Sequence, residues 1–309
     1  MTDALLKKNI LRTIAYFHLF KIPLTAREVR KNLFCPAKAW TFTEIRQALA
    51  QMTGRELRSQ EGFYFFKDSA NQLELRKTRY LISDEKIKQS RKYLKILSFV
   101  PFVRAIFICN TLSVLNANNE SDIDVAIVTA GNRIWTTRFF SVILMKILKK
   151  RPTLENTKNK ICLSFFVTED ALNLEKLAYA EDIHFIYWLK QFMPIYDPKN
   201  ITGYFLEANH WSDKFLPNYI NMGTCANWRV KNDSNFKLKL ETFLNSDFGN
   251  SIELSLKKLQ LKILPERLKR ISTEQNTNVV LNDKVLKFHV RDKRVYYRDK
   301  WKTLCKNFK

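Results

Sequence analysis

Two aspartates stand two residues apart in Ser121-Asp122-Ile123-Asp124-Val125-Ala126-Ile127-Val128-Thr129. The run is β-branched and apolar and predicts a strand. Side chains two apart on a strand point the same way, so both carboxylates share one side while Ile123, Val125 and Ile127 face a core on the other. Carboxylates held side by side repel and raise each other's pKa unless a cation lies between them. Hard cations such as Mg²⁺ take oxygen ligands, commonly one or two carboxylates with substrate phosphates. The spacing therefore points to Asp122 and Asp124 as ligands for one or two Mg²⁺ ions and to metal-assisted phosphoryl-transfer chemistry. An isolated Asp-x-Asp is more often a solvated strand end, so the flanking elements decide between the two readings.

Those elements follow from hydrophobic patterning. Val103–Cys109 predicts a buried strand, 110–120 a polar loop, 133–150 a basic amphipathic helix and 160–167 a third strand. An apolar strand, a loop, then Ser-Asp-Ile-Asp and an apolar run resembles the nucleotidyltransferase superfamily typified by polymerase beta. The resemblance covers about residues 100–200 and is densest over 105–129. It implies a mixed sheet flanked by helices and transfer of a nucleotidyl group from a nucleoside triphosphate to a hydroxyl acceptor. It also implies two metal ions on the catalytic Asp122 and Asp124, with the nucleotide held at Asn110, Thr111 and Ser121. The chain departs from the family at three places. Asn110-Thr111 replaces a Gly-Ser pair, Leu115 replaces a loop glycine, and the third strand carries no acid. One face of that strand is expected to present Cys162, Ser164 and Phe166, the other Leu163, Phe165 and Val167. Glu169 and Asp170 lie past its end and read as a helix start. Loss of a general base costs roughly 10²–10⁴ in rate. The alternative is thus a catalytically degenerate protein on the same scaffold, a nucleic-acid- or protein-binding regulator.

The N-terminal residues 1–70 read as three helices and a hairpin. Thr25-Ala-Arg-Glu28 and Thr41-Phe-Thr-Glu44 are capping boxes, and Gly62 divides two β-prone runs. This order resembles a winged helix-turn-helix. On its third helix Arg46, Gln47 and Gln51 are candidate nucleic-acid contacts. Phe63, Tyr64, Phe65 and Phe66 exceed what a two-stranded wing can bury. The module is therefore expected to be mainly structural, with any DNA binding non-specific and salt-sensitive. Residues 71–98 predict a helical connector, 99–200 the nucleotidyltransferase-like domain and 201–309 a mostly helical basic region. Residues 207–217 and 276–289 resemble segments of bacterial proteins that join a helical tail to such a domain. Asp182 and Asp197 read as the cap and exit of a helix over 183–193.

Lys and Arg number 53 against 30 Asp and Glu, a net charge of +23. A surplus of this size attracts polyanions, and Arg133 and Arg138 join the candidate nucleic-acid contacts. A general Lys/Asn-rich coding bias gives the same surplus. Only six glycines occur, which favours helices. Five widely spaced cysteines without a Cys-x-x-Cys speak against a zinc ribbon or disulfide framework. The four histidines are scattered and read as exposed or satisfied. The apolar run at Phe139–Leu148 is too short to span a bilayer. The expectation is a bacterial, cytoplasmic α+β protein with no membrane partner.

Overall fold

The computed structural model describes residues 2–36, 38, 40–69, 71–220, 224–232, 235–274 and 276–308. The chain is mixed α/β, and its strands form two sheets. At the N-terminus, α1 (Thr2–His18) is followed by β1 (Leu24–Thr25), α2 (Ala26–Lys31), α3 (Phe42–Met52), β2 (Leu57–Gln60) and β3 (Phe63–Phe66). Both capping boxes are made, so Thr25 and Thr41 start α2 and α3 as their spacing predicts. The small sheet runs β1-β3-β2. The hydrophobic stripe Ile45, Ala48, Leu49 and Met52 turns α3 onto α1 and α2, leaving Arg46, Gln47 and Gln51 exposed. Phe65 is buried, and Phe66 lies 5.8 Å, ring to ring, from Phe308 at the far end of the chain.

A long helix, α4 (Gln72–Leu97), leads into β4 (Val103–Ile108), the short α5 (Asn110–Ser113), β5 (Ile123–Thr129), α6 (Ile134–Ile147) and β6 (Ile161–Thr168). Then come α7 (Ile183–Lys190), β7 (Met193–Tyr196) and α8 (Ile201–Ala208). The chain ends with α9 (Asn235–Leu244), α10 (Asp247–Ile263), α11 (Glu266–Thr273), β8 (Val279–Leu281), β9 (Val285–Phe288) and α12 (Arg294–Cys305). The large sheet has the order β7-β4-β5-β6-β9-β8. Only β5 and β6 pair in parallel; the other neighbours are antiparallel. Ile87 and Leu94 of α4 and Trp135 and Met145 of α6 cover one face of this sheet. Phe185, Trp188 and Leu189 of α7 and Phe205 of α8 cover the other. Burial on both faces accounts for the nearly continuous apolar runs of β4, β5 and β6.

Besides the helices of 201–309, β8 and β9 complete the large sheet beside β6. Two expectations are corrected. The helix predicted over 183–193 stops at Lys190, and Met193–Tyr196 pairs with β4 as an edge strand, where Pro194 is tolerated. Strict alternation fails on β6: the register steps from Val125↔Leu163 to Ala126↔Phe165, so Ser164 is an extra residue. Phe166 therefore joins Leu163 on the α4/α6 face, and Phe165 joins Val167 on the other. No helix among the described residues is long and apolar enough to cross a membrane.

Candidate functional site

The two aspartates sit where β5 begins. Ile123, Val125 and Ile127 go into the core beneath the α4/α6 face, which turns Asp122 and Asp124 to the other side as the strand period requires. There they line a cavity of about 770 Å³ together with Asn110, Thr111, Cys162 and Ser164. Asp124 pairs in register with Cys162 on the neighbouring parallel strand. One ligand atom from each of Asp122, Asp124 and Cys162 lies within 4.8 Å of the others. The later strand beside the aspartate pair thus offers a thiol where the resemblance implies a third acid. Glu169 and Asp170 are at the opposite end of β6, where they face Arg104 at 3.5 Å and Lys284 at 3.2 Å.

Burial dominates the electrostatics of this end of the cavity. Desolvation, then the charge of Asp122, pushes Asp124 up to about 7, against the pull of a hydrogen bond from the Asn110 amide. Desolvation also raises Asp122. The Cys162 thiol is pushed up to about 12 by desolvation and by both aspartates, so it is neutral near pH 7. Such a pair gains by taking a divalent cation between its oxygens, and the residues fit one. A neutral thiol is a poor partner for Mg²⁺, so ligands beyond the two carboxylates would come from phosphate oxygens and water.

The loop after β4 begins with Asn110 in the left-handed region at φ 58°, a conformation asparagine tolerates. Its side-chain oxygen accepts from Trp188 Nε1 at 2.8 Å. Leu115 also takes a positive φ, 54°, at the place of the loop glycine. Asn116 ties the loop to the N-terminal module by donating to the Phe20 carbonyl, and it accepts from Arg79 of α4. Ser121 is not in the cavity wall. Its hydroxyl donates to Asn118 Oδ1 and accepts from the Asn118 amide, while Lys86 Nζ holds its carbonyl at 2.9 Å. It braces the loop.

Arg133 and Arg138 are not surface contacts. Arg133 is buried, donates to the Leu244 carbonyl and stacks over Phe102. Arg138 donates to Gln260 Oε1 at 2.6 Å and lies over the Phe288 ring, and desolvation lowers its pKa to about 10. Glu253 of α10 accepts from the amides of Trp135 and Thr136 and so caps α6. Arg133 and Arg138 thus hold α9 and α10 against α6.

The rest of the cavity wall comes from places the sequence did not single out together. Lys287 near the end of β9, His289, Arg291, Asp292 and Lys293 after it and Arg294 at the start of α12 contribute, and His184, Phe185 and Trp188 come from α7. Tyr16 of α1 hydrogen-bonds His184 Nδ1 at 2.9 Å. His289 Nε2 is 3.3 Å from Ser164 Oγ. Desolvation lowers His184 to about 4 and His289 to about 3, so both rings are neutral near pH 7. Lys287 and Arg294 are buried but paired, each with Asp292, and Arg294 also with Asp182, at 2.7–3.1 Å. Asp182 at the same time caps α7, as its position before that helix suggests. The one local signal for this wall was a short apolar run on each side of Asn282-Asp283, a turn pair. No family model, curated protein or solved structure matches the chain.

Proposed function

We propose that this protein is a metal-dependent nucleotidyltransferase that moves a nucleotidyl group from a nucleoside triphosphate to a hydroxyl acceptor. The observation that carries the reading is the pair Asp122/Asp124, desolvated and unneutralised by each other, aimed into a cavity that also has a cationic wall. Mg²⁺ at these carboxylates would neutralise phosphate charge and polarise the phosphorus being attacked. Thr111 would donate its hydroxyl to a phosphate oxygen. Asn110, fixed by Trp188, would orient Asp124 and present its own backbone amide to the same phosphate. The aromatic side chains on α1 and α7 would exclude water from the cavity. The N-terminal order of three helices and a three-stranded sheet is consistent with a winged-helix-like module, which serves here as a wall of the site through Tyr16, Phe17 and Phe20.

Labelled nucleoside triphosphates, Mg²⁺ or Mn²⁺ and a panel of hydroxyl acceptors test the reading. Label transfer is expected, and Asp122→Asn with Asp124→Asn should abolish it. Transfer that survives the double substitution would refute the assignment of the site. Cys162 favours a second reading. A neutral thiol cannot serve as a third carboxylate, so a protein that binds the metal nucleotide without transferring it has the same geometry. Tight metal-dependent nucleotide binding with no transfer to any acceptor selects that reading.

A further inference from the structure

The cavity wall carries two groups of opposite chemistry. Asp122 and Asp124 are one. The other runs from the end of β9 through the turn to the start of α12, where buried Lys287, Asp292 and Arg294 form a closed ion-pair network with Asp182. That network fixes the turn and uses up two of its four cations. The remaining two, Arg291 and Lys293, flank Asp292 in sequence, are exposed, and line the cavity. Among the described residues neither side chain has a hydrogen bond, an ion pair or a ring contact.

We propose that Arg291 and Lys293 bind the phosphate chain of the nucleoside triphosphate, a task the loop after β4 performs only weakly in this chain. The proposal rests on the nucleotidyltransferase reading and adds to it which residues grip the substrate. The loop is poorly equipped for the task. Leu115 sits with positive φ where a bare backbone would let phosphate approach, the Asn110 side chain is committed to Trp188 and Asp124, and α5 is a four-residue turn. Thr111 and the Asn110 backbone amide are what it has left to offer. The two groups then need each other's complement. The carboxylates lack a cation, the turn lacks an anion, and a metal–triphosphate supplies both. Arginine suits the role because its planar fork meets phosphate oxygens two at a time, and lysine serves as a point charge. The buried Asp292 network acts as the rigid base that holds these two flexible side chains toward the cavity.

Calorimetry on the full chain with inorganic triphosphate, with and without Mg²⁺, tests the proposal without any need for turnover. Wild type is expected to bind. Arg291→Gln with Lys293→Gln should weaken binding at least about tenfold, the loss of two charge-assisted contacts. The charge-keeping pair Arg291→Lys with Lys293→Arg keeps both charges but moves the fork, so it should lose less affinity than the glutamine pair. Asp122→Asn with Asp124→Asn should remove the Mg²⁺ enhancement and leave the metal-free binding. Wild-type affinity in the glutamine pair, equal loss in the charge-keeping pair, or no triphosphate binding by wild type would overturn the proposal. The two layers fail separately. Binding that depends on Arg291 and Lys293 in a protein that transfers no label leaves the clamp standing and removes the transferase. Transfer with an unchanged KM in the glutamine pair removes the clamp and leaves the transferase.

Discussion

Asp124 is the residue on which the account turns. Its raised pKa means that the folded protein binds its proton more tightly than the unfolded chain does. The stabilisation is fully present below the ordinary carboxylate pKa and is lost as pH rises through about 7. Above that pH the ionised pair strains the metal-free fold. Asp124→Asn should therefore raise metal-free stability at pH 8 by on the order of 2 kcal/mol, read by urea denaturation, and Mg²⁺ should no longer stabilise the variant. Cys162→Asp makes the converse prediction. A third carboxylate should tighten divalent-metal binding and lower metal-free stability, and a transfer rate limited by the missing base should rise by up to about 10²–10⁴. His184 and His289 work against Asp124 in pH dependence. Both stay neutral when folded, while the unfolded chain protonates them below the ordinary value of 6.5. Stability from them is lost as pH falls from 6.5 toward about 4 and 3. In an Asp124→Asn background, which removes the strongest opposing group, the urea midpoint should fall over this window, His184 alone contributing on the order of 3 kcal/mol. The aspartates were legible in the sequence because strand alternation is local. The histidines were not, because nothing near them in the chain marks either as part of a shared wall.

At the scale of elements, the turn from β9 into α12 links the sheet to the site. β9 pairs with β6, the same strand that carries Cys162, so the cationic turn is held in register with the metal end. Its rigidity comes from Asp292, which is the shared partner of Lys287 and Arg294 in the buried network. Asp292→Ala leaves two buried cations short of an anion, and stability should fall by about 3–5 kcal/mol with triphosphate affinity falling alongside. Equilibrium unfolding and calorimetry on the same preparation check both. β4, β5 and β6 were readable as long apolar runs. β7, β8 and β9 were not: three or four residues are too few to separate a strand period from a helix period, and Pro194 argued against a strand. The bulge at Ser164 left no mark in the residue types, since serine suits either face.

At the scale of the molecule, both ends of the chain close on the site. Tyr16 of α1 stacks on Tyr187 of α7 at 4.2 Å between centroids, and Trp301 of α12 donates to the Arg12 carbonyl at 2.8 Å. The N-terminal module is thus a packed wall, which accords with its surplus of wing aromatics. With Arg133 and Arg138 turned inward, most of the net charge of +23 is carried by other side chains. Duplex binding by the full chain should be non-specific and drop steeply between about 50 and 200 mM salt, and Arg46→Ala should change it by less than about twofold. A gel-shift series with unrelated duplexes reads both. The central claim, that Asp122 and Asp124 hold a divalent metal together with a nucleoside triphosphate, is tested most directly by titrating the protein with Mn²⁺ and following the free-ion signal by electron paramagnetic resonance. Wild type should take up Mn²⁺, more tightly when a nucleoside triphosphate is present, and Asp122→Asn with Asp124→Asn should abolish the protein's share of that uptake. Equal uptake by the double variant, or none by wild type, would contradict the account.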